Sequence, residues 1–306
     1  DKILSKYQSL ENHFDFIPCE SIFEPKKIPF LFSEETLLKK LDEKSIEIEH
    51  LLNQSKNNYE AVLFQKIAYS FGLKVNAEIY QNIAENIEFK IIQKISQNQF
   101  QLESLLFGKG NLLEKETEIN KKWKTEFDYL KIKFQISDEV FPVKFLRLMP
   151  PSFPTIRLSQ LANLYHLRPN LFSKILNAKN IQELKSYFEN VKTSEFWESH
   201  YTFEKSSEEK TEKFLSDDFV EILLINAVLP IIYTYYKNLN PEKTEQILEF
   251  YKNIKPEKNS IISQWKKQGV KPNSALETQA FLFHHKHFCS EKNCLNCSIG
   301  FQILKS

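Results

Sequence analysis

Apolar side chains recur every three or four positions along most of the chain, which is the spacing of one face of an α-helix. Behind Ser33, a fitting N-cap residue, the spacing shows in Leu37, Leu41, Ile48 and Leu52. The same spacing returns in segments from about Asn58 onwards and continues to Phe288. The sequence therefore predicts an all-α protein, a helical bundle with roughly 60% helix or more and no sheet beyond two or three strands.

Interruptions of the pattern suggest where these helices begin and end. A short amphipathic helix is predicted over residues 2–12, and the helix from Asn58 is predicted to end at Gly72 as a left-handed C-cap. Another long helix is predicted over residues 114–134. Prolines make residues 135–154 the most irregular segment. This segment separates a predicted region 1–140 from a region 141–306, unless the two form one continuous domain.

The segment that follows Ser216 and extends to Tyr236 is apolar on nearly all sides. A helix of that kind is usually buried, so we expect it at the centre of the fold, with a kink near Pro230. Asn226 lies within it, and a buried amide needs a hydrogen-bond partner. We therefore expect an internal partner for Asn226.

Composition limits the partners of the chain. The 41 basic and 40 acidic residues give a net charge of +1, so nucleic acid would have to bind through a local basic groove. Only five glycines are present, which again favours helix. No run of 18 apolar residues occurs, which argues against a membrane span. Met149 is the only methionine, so Asp1 is not a translation start and we expect the chain to be part of a longer protein.

The four cysteines are the strongest candidates for chemistry. Cys289, Cys294 and Cys297 form a C-x4-C-x2-C cluster, and Cys19 lies near the other end of the chain. Sets of four thiolates bind zinc or iron, so the sequence predicts a C-terminal metal knuckle that holds Zn or a 4Fe-4S cluster and staples the two ends together. In the alternatives, Cys19 is a buried apolar residue, and the other three take His287 as the fourth ligand or bind nothing. Clustered cysteines favour a reducing, cytoplasmic compartment.

Other polar residues are weaker candidates for a site. Arg147 and Arg157 flank one proline-rich turn in an apolar setting, so we expect them to converge on a polar site or to form internal ion pairs. His200 fits a packed, hydrogen-bonded histidine better than a general base, because no nucleophile lies at motif spacing. The Gly108-Lys109-Gly110 sequence fits an interhelical turn better than a phosphate loop, because no strand precedes it.

Several segments together resemble a known family. They are Leu-Leu-Phe-Gly-Lys-Gly-Asn-Leu-Leu at 105, Phe-Leu-Arg-Leu-Met-Pro-Pro-Ser-Phe-Pro at 145, Phe-Trp-Glu-Ser-His-Tyr-Thr-Phe at 196, Ile-Asn-Ala-Val-Leu-Pro at 225 and the terminal cysteine cluster. In this order they resemble the uncharacterised bacterial family catalogued as domain of unknown function 2851. The resemblance implies that longer members carry an upstream segment similar to the acidic core of restriction-endonuclease-like nucleases.

Three classes of function follow. In the first, the chain is an accessory helical domain with a four-cysteine metal staple, beside an N-terminal nuclease-like domain that acts on nucleic acid. Certain nucleases carry one distant cysteine and a C-terminal trio around a 4Fe-4S cluster, and the spacing here is similar in kind. In the second, the chain is a zinc-stabilised protein-interaction scaffold without catalysis. In the third, it is an enzyme that uses Arg147, Arg157 and His200. No complete catalytic constellation occurs in this span.

Overall fold

The helical pattern of the sequence is realised in the computed structural model, which describes residues 16–305. The structure is 63% helix, and within that range no β-strand forms. Two isolated antiparallel bridges pair Lys192 with Phe214 and His200 with Ser206. The all-α prediction is therefore confirmed. The helix predicted over residues 2–12 lies outside the described residues.

The helices are short to medium in length, apart from the first, and their connections range from single residues to long irregular segments. In chain order they are α1 Phe32–Gln54, α2 Tyr59–Phe71, α3 Leu73–Glu85, α4 Phe89–Ile95, α5 Gln99–Lys109, α6 Lys121–Phe134, α7 Pro154–Leu167, α8 Leu171–Ile175, α9 Ile181–Ser186, α10 Asp217–Leu223, α11 Leu229–Tyr236, α12 Pro241–Lys252, α13 Ser260–Lys267, α14 Ala275–His284 and α15 Ser298–Lys305. Two π-helices, Leu224–Val228 and His285–Cys289, directly follow α10 and α14.

The chain forms two compact units. Unit 1 combines Asp1–Glu47 with Tyr233–Ser306, and unit 2 is Ile48–Ile232. In unit 1, α12 and α13 both pack against α14, and α15 packs against the 3-10 turn Pro25–Lys27. In unit 2, α2 packs against α3, and α5 packs against α6 and α7. The predicted boundary near residue 140 lies inside unit 2.

Polar residues before the helices define several of their starts. The side chains of Asn58, Asn98, Ser216 and Ser274 each accept a hydrogen bond from a backbone N–H in the first turn. These bonds satisfy donors that have no partner within the helix.

Three predicted helix boundaries are wrong. Ser33, which was expected to be an N-cap, is the second residue of α1, because that helix begins at Phe32. Gly72 has a φ of −68°, and the left-handed residue is Leu73, with a φ of 51°. Gly72 is needed for another reason, because a Cβ at this position would overlap the backbone of Asn76. The helix predicted from residue 114 begins only at Lys121, because Asn120 binds the backbone of Thr117 and Lys115 and forms a turn.

The apolar segment 217–236 forms one continuous helical run with a π-helical turn at its centre. Among residues 16–305, this is the one helix long and apolar enough to cross a membrane by length and composition alone, and 78% of its most apolar window is buried inside the fold. The segment is not an unbroken run of 18 apolar residues, and it meets the criterion through its length and mean hydropathy. The burial itself agrees with the predicted core position.

Asn226 does not have the internal partner that was expected. Its side chain is exposed, and its Nδ2 donates to the carbonyl of Ile222, 3.1 Å away, one turn earlier in the same helix. The π-helical turn Leu224–Val228 changes which residues face the core, so an amide in an apolar sequence reaches the surface.

Candidate metal centre at the four cysteines

Cys19 lies in a tight turn of the N-terminal loop. The amide of Glu20 donates to the carbonyl of Ile17 and the amide of Ile22 donates to that of Cys19, both at 3.0 Å. Phe16 holds the loop in place, with its ring 5.3 Å from that of Trp265 and 4.8 Å from that of His285. The turn therefore presents Cys19, which is 8% exposed, to the interior of unit 1.

The other three cysteines lie on consecutive short turns. Cys289 ends the π-helix His285–Cys289, and Cys294 begins a 3-10 turn, Cys294–Asn296. The amide of Cys297 donates to the carbonyl of Cys294 at 3.2 Å, and α15 begins directly afterwards. Cys289 and Cys297 are buried, whereas Cys294 is half-buried.

All four cysteines line the same small cavity. Its volume is about 10 Å³, comparable to one water-sized sphere, and the cysteines share its wall with Pro18, Trp265, His284, Phe288, Ile299 and Gly300. The fold thus brings Cys19 to the C-terminal trio within unit 1. His287 does not line this cavity. Its ring stacks on Phe283, and its Nε2 is 3.2 Å from the Glu43 carboxylate.

The four thiols influence one another electrostatically. Burial raises the pKa of the Cys19 thiol to about 12, and negative charge on Cys297 and Cys294 would raise it further. Burial likewise raises the pKa of Cys289, with added contributions from Cys297, Cys19 and Cys294. Without a cation among them, the thiols are therefore neutral at physiological pH. A bound metal ion reverses this preference, because coordination deprotonates a thiol.

Two hydrogen-bonding groups lie beside the sulfur atom of Cys297. The amide of Gly300, in the first turn of α15, donates to Cys297 Sγ at 3.2 Å, and His284 Nε2 lies 3.2 Å from the same sulfur. Trp265 lines the same cavity, and its buried Nε1 has no hydrogen-bond partner among the residues of the structure that are described. Four thiolates around a cation carry excess negative charge, and N–H donors of this kind stabilise it.

Gly300 permits the close approach of α15 to the cysteine turn. A Cβ at this position would lie 2.5 Å from the carbonyl oxygen of Cys294 and 3.5 Å from Cβ of Cys297. A backbone oxygen cannot move away without displacing the turn that carries Cys294. The absence of a side chain at 300 is thus a condition for the geometry of the site.

The sequence did not single out His284, Trp265 or Gly300 as parts of this site. His287 is closer in sequence to Cys289, but His284 and Phe288 are four residues apart and so share one helix face. That spacing is the signal that could have identified His284. Burial lowers the pKa of His284 to about 4, so its ring is neutral beside Cys297.

The thiols face one cavity but are not already arranged as a ligand set. Across residues 16–305, no group of three or more His, Cys, Asp or Glu side chains is positioned to hold a metal ion. Metal binding would therefore require thiol side chains to rotate towards the centre of the cavity. Rotation about χ1 moves a sulfur atom between staggered positions without moving the backbone.

The two arginine candidates lie in different environments of unit 2. Arg147 is exposed, with a left-handed φ of 64°. Arg157 is partly buried, where its guanidinium stacks 3.9 Å from the ring centroid of Phe219 and donates to Gln160 Oε1 at 3.0 Å. Burial lowers the pKa of Arg157 to about 10. The expectation that the two side chains converge on one polar site is therefore not met.

His200 is packed and hydrogen-bonded, as the sequence analysis favoured. Its ring stacks on Phe196 with centroids 4.1 Å apart, and its Nδ1 lies 3.0 Å from the carbonyl oxygen of Phe196. The hydroxyl of Ser199 lies 3.0 Å from the same nitrogen. These contacts explain the orientation of the ring without a catalytic role.

The Gly108-Lys109-Gly110 sequence is the end of a helix and not a phosphate cradle. Lys109 is the last residue of α5, and its ammonium donates to Asn86 Oδ1 and to the carbonyls of Ser137 and Glu139. A Cβ on Gly108 would overlap the ring of Phe127 in α6. The glycine therefore allows α5 and α6 to pack closely, and the lysine is consumed by internal contacts.

Comparison with known proteins places the chain in a family but does not supply a function. The family model described as protein of unknown function (DUF2851) matches residues 1–260, so the chain belongs to this family. The matched region ends before the three C-terminal cysteines. No curated protein and no solved structure matches the chain.

Proposed function

We propose that Cys19, Cys289, Cys294 and Cys297 hold a metal centre, either Zn or a 4Fe-4S cluster, which staples the N-terminal loop to the C-terminal end of the chain. One observation carries the proposal, the presence of all four cysteines of the sequence on the wall of one buried cavity. Cysteines that served only as small apolar core residues would have no reason to meet at one cavity in a chain of 306 residues.

The surroundings fit a negatively charged metal centre. Gly300 donates an N–H to Cys297, and Trp265 offers an N–H with no partner within residues 16–305. Zinc demands less rearrangement in a cavity of about 10 Å³, because rotation of thiol side chains is sufficient. A 4Fe-4S cluster additionally requires the Cys19 loop and the Cys294 turn to separate.

The wider function that we propose is that of an accessory helical domain in a nucleic-acid-processing protein. This part rests on the family resemblance, which implies that longer members carry a segment similar to the acidic core of restriction-endonuclease-like nucleases. In this view the metal staple is structural. It fixes the surface of unit 1 that is formed by the N-terminal loop with Cys19 and by the C-terminal segment with the other three cysteines. Retention of metal without any nucleic-acid binding would favour the interaction scaffold instead.

Metal analysis of the 306-residue chain tests the staple. Protein purified without oxygen should contain one centre per chain, with zinc and no colour, or with iron, acid-labile sulfide and absorbance near roughly 400 nm. Substitution of any one cysteine by serine should lower metal content to less than about half, because a three-thiolate site binds more weakly.

His287→Ala is the matched control, because this histidine is a neighbour of Cys289 in sequence but lies outside the cavity. It should retain its metal. A wild-type chain that stays metal-free after anaerobic reconstitution with either metal would overturn the proposal. Full metal content in Cys19→Ser alone would show that Cys19 is not a ligand and that no staple exists.

A further inference from the structure

Beside the cysteine cavity, unit 1 carries a groove with lysines on both walls. One wall is formed by Lys26, Lys27, Ile28 and Pro29, and the other by Gln302 and Lys305 of α15. The groove has a volume of about 380 Å³, which is the size of a site for a small ligand or a single nucleotide. None of these lining residues is acidic.

The lysines remain available to an anion. Lys26 pairs with Glu24 at 2.5 Å, but both side chains are largely exposed, and water screens such a pair. Lys27 makes no ion pair within the described range, and Lys305 lies over the ring of Phe301 at 4.4 Å. A chain with a net charge of +1 has no global field for polyanions, so a local cluster is where one would bind.

Two more lysines extend this basic surface. Lys266 and Lys267 end α13, and the chain then turns at Gly269 with a left-handed φ of 85°. A Cβ at this glycine would lie 3.2 Å from Cγ of Pro25, so the end of α13 is adjacent to the turn that carries Lys26 and Lys27.

Two exposed aromatic residues are next to lining residues of the groove in the chain. Phe30, next to the lining residue Pro29, is 99% exposed, and Phe301, next to Gln302, is 50% exposed. Such rings contribute little to the core of unit 1, since most of their surface contacts water. Aromatic side chains beside a basic groove are the arrangement that binds single-stranded nucleic acid, in which bases stack on rings and phosphates follow lysines.

Concavity favours a nucleic-acid strand over a membrane. The lysines lie on opposing walls of a groove, so one strand of phosphates can contact both walls at once. A flat bilayer surface would contact the rim and would leave the inner side chains unpaired. Exposed rings also favour a single strand over a duplex, because the bases of a duplex already stack on one another.

Each wall of the groove follows a proposed metal ligand in the chain. Cys19 precedes Pro25 by one short turn of the loop, and Cys297 directly precedes α15. Gly300 packs α15 against the carbonyl of Cys294. A metal that joins these cysteines would therefore fix the distance between the two walls of the groove.

We infer that the groove between Lys26–Pro29 and α15 binds the backbone of single-stranded nucleic acid, with bases stacked on Phe30 and Phe301. This inference rests on the proposed function and deepens it, because it places the nucleic-acid contact on the metal-stapled unit. Loss of metal should weaken binding, since the walls would no longer be held together.

Fluorescence anisotropy with a labelled oligothymidylate of about 12 nucleotides tests the groove on the 306-residue chain. The triple substitution Lys26→Ala, Lys27→Ala and Lys305→Ala should weaken binding by about tenfold or more at low salt. It should also reduce the slope of log affinity against log salt by about 2, because three phosphate contacts are lost. Phe30→Ala should weaken binding by about fivefold or more through lost stacking.

Lys258→Ala is the matched control, because this exposed lysine lies before α13, at the end of that helix remote from Gly269. It should bind like the wild-type chain. Equal binding by the triple variant and the wild type, or equal weakening by Lys258→Ala, would overturn the inference. So would tighter binding to a duplex of the same sequence, or binding to phosphatidylserine vesicles but not to the oligonucleotide.

The proposal of a metal staple and the proposal of a nucleic-acid groove can be refuted independently. A metal-free wild-type chain that binds the oligonucleotide through the three lysines would refute the staple and leave the groove. A chain with a full metal content that binds no oligonucleotide would refute the groove and leave the staple. The metal content of each lysine variant is measured alongside. A variant that retains its metal but binds the oligonucleotide weakly has lost the groove contacts and not the cysteine site.

Discussion

At the scale of single residues, Lys109 shows how a charge is accommodated inside unit 2. Its side chain has no exposed surface, and its ammonium donates to the side chain of Asn86 and to the carbonyls of Ser137 and Glu139. Burial lowers its pKa. The lysine connects α5 to the irregular segment after α6, which has few backbone hydrogen bonds of its own.

Lys109→Met should lower the free energy of unfolding by about 2–3 kcal/mol, because the substitution leaves buried acceptors without a donor. Methionine has a similar length, so little of the loss would come from an empty cavity. Urea unfolding followed by circular dichroism measures the difference. Lys115→Met, at an exposed position, is the control and should change stability by no more than about 0.5 kcal/mol. A neutral Lys109→Met would show that the network is dispensable.

The environment of such residues could be predicted only where neighbours in sequence determine it. His200 was predicted to be a packed histidine, and the aromatic residues around it are indeed close in the chain. The acceptors of Lys109 lie more than 20 positions away, and nothing in the Gly108-Lys109-Gly110 sequence identifies them. Arg157 is a similar case, since the ring it stacks on, Phe219, is distant in sequence.

At the scale of helices, Glu103 of α5 connects several elements of unit 2. Its carboxylate accepts hydrogen bonds from Ser159 of α7, from Ser194 at 3.0 Å and from Trp123 Nε1 of α6 at 3.4 Å. The side chain is buried, and burial raises its pKa. No cation among the described residues pairs with it, so its charged form is unfavourable.

The stability of unit 2 should therefore decrease with pH at this site. The folded state binds the proton of Glu103 more tightly than the unfolded state, so the loss begins above the ordinary glutamate pKa of about 4.3 and ends at the raised pKa. Within that window Glu103→Gln should gain stability relative to the wild type by about 1.4 kcal/mol per pH unit. Urea unfolding between about pH 4 and about pH 8 measures this slope. Glu116→Gln, at an exposed position, should show none, and a parallel profile for Glu103→Gln and wild type would contradict the assignment.

Helices were predicted more reliably than their limits. Periodicity depends on residues three and four apart, and so the class of fold followed from local sequence. The start of α6 at Lys121 and the π-helical turn at Leu224–Val228 depend on side-chain hydrogen bonds and on packing of the surrounding core. The periodic spacing of apolar residues does not reveal such contacts, so these features could not be predicted from the sequence.

At the scale of the whole molecule, unit 1 is built from both ends of the chain. Its N-terminal loop contacts the C-terminal helices through Phe16 on Trp265 and through Gln268, which donates to the Glu20 carboxylate at 2.5 Å. The number of cysteines in the sequence suggests that the four thiols form one set, and all four line one cavity. The wall residues Trp265 and His284 were not predictable from that number, because they come from α13 and α14, which carry no cysteine.

Closing unit 1 through Cys19 joins residues separated by about 270 positions, and the entropy cost of such closure grows only logarithmically with length. A metal bound only to the folded unit would add stability by mass action, about 2.7 kcal/mol when free metal exceeds the dissociation constant roughly a hundredfold. The gain should appear in unit 1, where the ligands are, and not in Ile48–Ile232.

Hydrogen exchange measured by mass spectrometry separates the two units within one sample. Removal of metal by a chelator, or the substitution Cys289→Ser, should accelerate exchange by about a hundredfold in the Cys19 loop and in α15, because opening no longer requires metal release. The amides of α5 and α6 in unit 2 serve as the internal reference and should keep their protection. Unchanged exchange around Cys19 would show that the loop is held by Phe16 and Glu20 alone. An equal loss of protection in both units would show that the metal stabilises the whole chain and not a local staple.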